Sequence, residues 1–347
     1  MQNRKKRKIK RLELIILCLI FILFSTLFSG CVGNASIAKT ETGIYFDTVI
    51  SITLYGNDSQ YFAKCFELCD RYEKLFSSTI SDSEISCINQ NSKKGISTTV
   101  SDETIELITR GLQYSKLSEG RFDITIGNLT SLWDFSNQST GNHIPSPDEL
   151  KKCIEDIGYD QIEINGNEVL LTNPNTSIDL GGIAKGYIAD QLKQYLTSHN
   201  VKKGMINLGG NVLVIGSKPD QTNYNIGIQR PFAKNGDVIA IVNTSDKSIV
   251  TSGVYERYFY QNGELYHHIL DVSSGYPVSN ELLSVTIISD NSVDGDGLST
   301  TAFVLGLDDG MELIESIGDV EAVFVDNESH IYLTSGLWMK DDVIHLK

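Results

Sequence analysis

Residues 177–190, Ser-Ile-Asp-Leu-Gly-Gly-Ile-Ala-Lys-Gly-Tyr-Ile-Ala-Asp (SIDLGGIAKGYIAD), decide the fold class of this chain. They read as a strand that delivers Asp179, a turn made by Gly181 and Gly182, and a helix running from Ala184 to Ser198 with Lys185 in its first turn. Downstream, strands alternate with Gly, Asn and Asp clusters. Upstream, the β-branched alternation TVISITLY marks a strand over Ile44 to Tyr55, and residues 60–76 have helical periodicity. A second helix spans Asp102 to Leu117 with Ser101 or Asp102 as its cap, a short one spans Pro147 to Ile157, and Gln161 to Leu171 is a hairpin turned at GNE. Strands and helices do not follow a βαβ rhythm, so the reading is α+β, with mixed, largely antiparallel sheets and packed helices; residues 43–347 are taken as a single two-lobed unit. A doubly wound dinucleotide fold is argued against. No GxGxxG follows a strand, and no GxxxxGK[ST] is present.

Composition narrows the function classes. Of 347 residues, 41% are hydrophobic and 21% charged, the balance of a folded chain, and the formal charge is -15. Residues 1–30 hold seven basic side chains (Arg4, Lys5, Lys6, Arg7, Lys8, Lys10, Arg11) and one acid, Glu13; the remainder carries 22 bases against 43 acids. That field repels nucleic acid and anionic headgroups. The basic cluster, the apolar run Leu14 to Phe24 and the small pair Ser29-Gly30 before Cys31 read as a secretory signal. The run falls short of the roughly 20 residues needed to span a bilayer. The expected organisation is a signal peptide over 1–30, a lipidated Cys31 with a polar tether to residue 42, and the folded body beyond, exported and lipid-anchored on the outer face of the membrane. An uncleaved signal anchor is the alternative, and either topology turns the body outward. Cys65 and Cys69, four apart in YFAKCFELCD, read as small buried hydrophobes of a helix in preference to a redox pair or metal site.

Four segments carry polar and glycine residues through apolar surroundings. In 177–190 the glycine turn exposes N–H groups at a helix start, which suits a phosphate or a flavin edge, and Lys185, opposed to the helix dipole, needs an anion nearby. The second is NLGGNVLVIG, residues 207–216, a glycine turn running into a strand. The third joins TSGVYERYF (251–259) to YHHILDVSSGYPV (266–278). Its adjacent His267 and His268 point to opposite faces of a strand, so at most one enters a given site, and the pattern does not decide which. The fourth is SVTIISDNSVDGDGLSTTAFVLG, residues 284–306, in which Asp290, Asp294 and Asp296 lead into a helix expected at Leu298. Asp296 and Thr300 are four apart, one helical turn, and a carboxylate plus a hydroxyl is a hard oxygen pair suited to Mg²⁺. Each segment also has a bland reading: a glycine pair placed for packing, a tight turn, a histidine satisfied by backbone, an N-cap aspartate.

Taken together, FDTVISITLYG, SEIS with Asn89, GRFDITIG, DLGGIAKGY, NLGGN, TSGVYERYF, HHILDVSSGYPV and DGLSTTAFVLG resemble, in order, the motifs of the ApbE family of bacterial flavin transferases, from about Thr42 to Leu337. The resemblance implies an enzyme that binds FAD with Mg²⁺, breaks its pyrophosphate and attaches FMN through a phosphoester to a Thr or Ser hydroxyl of a partner flavoprotein, releasing AMP. It implies Asp296, Thr300 and the Gly182 carbonyl as Mg²⁺ ligands, His268 as the base, and Asp179 and Lys185 as holders of FAD. Arg121, Phe122 and Asp123 of GRFD, with Phe46 and Thr79, would lie against the cofactor. Phe46 stands where Met is common, Thr79 where Tyr is common, Cys87 where a basic residue is frequent, and Gly295 and Gly297 where Ala is usual, which suggests a looser start to that helix. The acceptor is expected to be a flavoprotein of a membrane or surface redox system. Two alternatives use the same residues: an FAD pyrophosphatase and a flavin-binding lipoprotein without catalysis.

Overall fold

Alternate side chains along the central strands go to opposite cores, which makes this a layered molecule. The computed structural model describes residues 37–135, 143–234 and 236–347. A hairpin of β1 (Ala38–Tyr45) and β2 (Thr48–Tyr55) is followed by α1 (Phe62–Phe76), α2 (Glu84–Ser92), β3 (Thr98–Thr99), α3 (Asp102–Leu117), α4 (Gly127–Trp133) and α5 (Pro147–Glu155). Next come β4 (Ile162–Asn165), β5 (Glu168–Leu171), α6 (Ala184–Ser198), β6 (Gly204–Leu208), β7 (Asn211–Ile215), β8 (Tyr224–Gln229), β9 (Val238–Thr244) and β10 (Ser248–Gly253). The chain continues through β11 (Tyr258–Gln261), β12 (Glu264–His267), β13 (Leu282–Ser289), α7 (Ser292–Leu305), α8 (Leu307–Ser316), β14 (Glu321–Asp326), β15 (Ile331–Leu333), β16 (Leu337–Lys340) and β17 (Val343–Leu346).

The main sheet has the order β1-β2-β6-β7-β10-β13-β14-β15, and its adjacent strands are antiparallel throughout. A second sheet, β16-β17-β9-β8, includes one parallel pair, β9 with β17. Leu213, Ile287 and Phe324 face a core shared with Leu192 and Leu196 of α6 and Phe303 of α7. Their neighbours Val212, Val214, Ile288, Val323 and Val325 face a second core, against Ile226, Val242 and Ile344 of the other sheet. This two-residue alternation is what a sheet covered on both faces demands. Each such aliphatic side chain, fully buried, contributes about 1.5–3 kcal/mol. The α+β expectation holds, and residues 38–347 cluster as one unit.

Several boundaries differ from the sequence reading. The tether expected to residue 42 is already strand from Ala38, because the β1–β2 hairpin pairs along its whole length, Ala38 with Tyr55 through Tyr45 with Thr48. The strand expected over 44–55 is therefore split by the turn at Phe46 and Asp47. The helix expected at Leu298 starts six residues earlier, at Ser292, because Asp190 at the far side of α6 accepts the N–H groups of Ser292 (2.7 Å) and Val293 (2.9 Å) and so caps it from outside. Gly295 and Gly297 do not loosen this helix. A Cβ on Gly297 would lie 2.3 Å from Cε2 of Tyr114, and one on Gly295 2.6 Å from Cγ2 of Val250, so both let neighbours pack onto the helix backbone. The helices Asp102–Leu117, capped by Ser101, and Ala184–Ser198 match the reading. Cys65 and Cys69 are free, buried on one face of α1, and loss of water pushes both thiols up to about 12, which leaves them as packing groups. The lipidation site at Cys31 and the signal segment lie outside the described residues. Among the described residues no helix is long and apolar enough to cross a membrane.

Candidate active site

The site is organised by the meeting of α6 and α7. Gly186 in the first turn of α6 packs on the start of α7 so closely that a Cβ would lie 2.2 Å from the Ser292 carbonyl oxygen. Its N–H, one of the first-turn donors without a partner inside the helix, donates to Oδ2 of Asp296 at 2.5 Å. The Gly182 carbonyl is thereby left without a backbone donor among the described residues. Asp296 is buried, 5% exposed, and burial pushes its carboxyl up; Lys185, the Gly186 N–H and Asn211 pull it back toward the charged form. The anion that Lys185 needs is thus Asp296, together with Glu256, although neither closes a direct ion pair with it among the described residues.

Of the three acids in the fourth segment only Asp296 enters the site. Asp290 pairs with Lys247 at 2.6 Å, and Asp294 accepts from Tyr114 Oη at 2.7 Å, tying α7 to α3. Thr300, one turn after Asp296, has Oγ1 2.9 Å from Ser252 Oγ on β10. The NLGGN segment bends with both glycines left-handed (φ 63 and 100), the Asn207 side chain accepting from the Gly210 N–H at 2.9 Å, and brings Gly210 against Glu256. The Glu256 carboxyl is raised by desolvation against the pull of Lys185 and Arg257.

The two histidines differ in their surroundings. His267 is buried and tied to backbone at both ring nitrogens: the Ile269 N–H approaches Nδ1 at 3.3 Å, and Nε2 lies 3.1 Å from the Val278 carbonyl. His268 is half-exposed, and its buried Nδ1 has no hydrogen-bond partner among the described residues. Burial first, then the charges of Arg257 and Lys185, push its ring down to about 3, so it is neutral at ambient pH.

The remaining predicted residues divide. Phe122 packs beside Gly182, whose Cβ position lies 3.2 Å from its ring. Asp179 organises the glycine turn, Oδ1 accepting from the Gly181 N–H at 2.8 Å and Oδ2 from Thr130 Oγ1 at 2.8 Å. Asp123, which the motif match sets against the cofactor, has its carboxylate engaged within the protein. It is buried and committed to Thr125 N–H (2.8 Å), Thr125 Oγ1 (2.7 Å) and Tyr159 N–H (2.9 Å), which makes it a brace of the loop below the site. Phe46, at φ 55 in a two-residue turn with Asp47 at φ 56, donates its N–H to Glu73 Oε1 at 2.6 Å. That is the turn type that usually takes Asn-Gly, so an aromatic there is strained. Thr79 is exposed in a turn held by Ser77, and Arg121 is exposed after Gly120. No hydrogen bond, ion pair or ring contact among the described residues joins Phe46, Thr79 or Arg121 to the Lys185–Asp296 group. Sequence reasoning missed Ser252, Glu256 and Arg257, which lay inside the quoted TSGVYERYF, and Asp190, the last residue of the opening stretch.

The family whose sequence profile matches residues 46–324 is described as the ApbE family. A relative from Klebsiella pneumoniae (strain 342), named FAD:protein FMN transferase, is 35% identical over 296 residues, 85% of this chain and 91% of its own. One of the same name from Treponema pallidum (strain Nichols) is 30% identical, covering 78% of each chain. Among solved structures, the ApbE protein of Thermotoga maritima superposes with a TM-score of 0.79 at 29% identity, covering 86% of this chain and 97% of its own. The flavin transferase ApbE of Vibrio cholerae does so at 0.76 and 26%, covering 86% and 98%.

Proposed function

This chain belongs to the ApbE family, and from that premise we propose that it transfers the FMN half of FAD to a Thr or Ser hydroxyl of a partner flavoprotein, with release of AMP. The observation that carries the reading is that the charge of Lys185, at the start of α6, acts on both Asp296 of α7 and His268 after β12, with Thr300 one turn from Asp296. Lys185 is suited to bind and orient the pyrophosphate of FAD, and Arg257 adds a second positive charge beside His268. His268, kept neutral, would take the proton of the acceptor hydroxyl at a ring nitrogen as that oxygen bonds to the FMN phosphorus and the bond to the AMP oxygen breaks.

The residues present fit Mg²⁺. A buried carboxylate raised by desolvation, a hydroxyl one turn on and a carbonyl without a backbone donor are hard oxygens of the kind Mg²⁺ takes, and burial of Asp296 is relieved by a cation. Asp296, Thr300 and the Gly182 carbonyl would hold the ion. When bound it would neutralise charge on the phosphate oxygens. Phe122 beside Gly182 is placed to touch the cofactor, whereas roles for Phe46, Thr79 and Arg121 toward FAD rest on the motif match.

Export and anchoring belong to the same proposal: Cys31 carries lipid, the body faces outward, and the acceptor belongs to a membrane or surface redox system. The test is covalent labelling of an acceptor domain, read as flavin fluorescence in a denaturing gel. Wild type with FAD and Mg²⁺ is expected to label it and His268→Ala to bind FAD without labelling. Equal labelling by His268→Ala would remove the assigned base.

A further inference from the structure

Resting on the magnesium reading above, we propose that Ser252 is a positioning residue that fixes the polarity of the Thr300 hydroxyl and so turns its lone pairs toward the cation. Three hydroxyl groups lie in series where β10 packs under α7. Ser299, fully buried, donates its proton back along the helix to the Asp296 carbonyl at 3.1 Å. A hydroxyl has one proton, so in the 2.8 Å contact between Ser252 Oγ and Ser299 Oγ the donor is Ser252. The proton of Ser252 is then spent, and in its 2.9 Å contact with Thr300 Oγ1 it accepts. The Thr300 proton is therefore held by Ser252, and the oxygen facing the site offers lone pairs alone. The strand enforces the direction. Thr251, the preceding residue, bonds Thr286 of β13 at 2.8 Å, and side chains alternate, so Ser252 is the one turned to α7.

Without this relay the Thr300 hydroxyl is free to return its proton to a carbonyl one turn back, as helical threonines do, or to aim it at the cation. Either competes with ligation. The Ser299 hydroxyl reaches that of Thr300 only through Ser252, yet its loss frees the Ser252 proton to turn toward Thr300, so both serines affect the metal through one oxygen.

The experiment is titration of the purified full-length chain, saturated with FAD, by Mn²⁺ as the probe ion. Free Mn²⁺ is read by electron paramagnetic resonance, binding to FAD alone is subtracted, and melting temperature is measured in parallel. Ser252→Ala and Ser299→Ala are each expected to weaken Mn²⁺ binding about tenfold, the size typical of groups that orient a metal ligand. Adding Ser252→Ala to Thr300→Ala is expected to cost nothing more, because the relay acts only through that oxygen. If Asp296→Ala loses the ion while Ser252→Ala binds as wild type, the relay is overturned and the magnesium reading stands. Additive losses in the double variant would also overturn it, by showing that Ser252 acts through the fold. Wild-type affinity in Asp296→Ala would overturn the magnesium reading and the relay with it.

Discussion

At the residue scale, the least expected property is the weak basicity of His268. Burial and the neighbouring cations Arg257 and Lys185 hold its ring near 3, far below the ordinary imidazole value. A lowered histidine pKa means that the neutral form persists as pH falls, so protonation of this ring is not expected to produce an acid limb near pH 6.5 in kcat/KM. The profile for wild type should stay flat on that side to about pH 5, and a steep fall centred at 6.5 would contradict the environment described. The same cations face an anionic substrate. A bound pyrophosphate screens them and returns basicity to the ring, which makes His268 a stronger base with FAD in place than without it. For Asp296→Ala the expectation is loss of Mg²⁺-dependent turnover by two orders of magnitude or more with the fold retained, about the scale of removing one electrostatic stabiliser. Unchanged turnover would remove the metal assignment. His268, Asp296 and Thr300 stand in recognisable motifs, and the motif match singles out His268. The different surroundings of His267 and His268 were not legible, because alternation along a strand gives opposite faces without saying what each face meets.

At the element scale, the start of α7 depends on a residue from another helix. Asp190 caps it through two N–H groups, yet burial outweighs those bonds and pushes its carboxyl up to about 6 from 3.8. A raised carboxyl favours the folded state while protonated, so this contribution is present below about pH 4 and is lost as pH rises through 6. The shift corresponds to about 2–3 kcal/mol. Asp190→Asn should remove that slope: the stability of wild type relative to the variant, from urea melts, is expected to fall between pH 4 and 6. A difference independent of pH would contradict it. Gly186→Ala places a methyl group against the Ser292 backbone, where no flexible side chain can yield, and is expected to cost about 2 kcal/mol or more. These contacts explain what the sequence left hidden. Periodicity located α3 and α6 because their apolar faces define them, with Ser101 capping α3, whereas α7 begins where a distant carboxylate permits, and its Gly-rich start gives no local helix signal.

At the whole-molecule scale, the central sheet serves as a platform whose antiparallel strands bring TSGVYER on β10 and beyond, NLGGN before β7 and the α6–α7 pair to one place. The α+β class could be read from the absence of a βαβ rhythm. The strand order could not, because β2 pairs with β6 across about 150 residues of intervening helices and hairpins, and nothing local encodes that partner. Export adds one expectation at this scale: Cys31→Ala should move the protein out of the lipid-modified membrane fraction. Integral anchoring that persists in Cys31→Ala would favour an uncleaved apolar helix. The central claim, that the site moves FMN onto a polypeptide hydroxyl, is tested most directly by intact-mass spectrometry of a Thr-containing flavin-acceptor domain incubated with the full-length chain, FAD and Mg²⁺, with AMP and free FMN followed by chromatography. The account predicts one covalent FMN per acceptor together with AMP, dependent on both enzyme and metal. Release of FMN and AMP at the same rate with and without acceptor, and no adduct, would contradict it and make the protein an FAD pyrophosphatase.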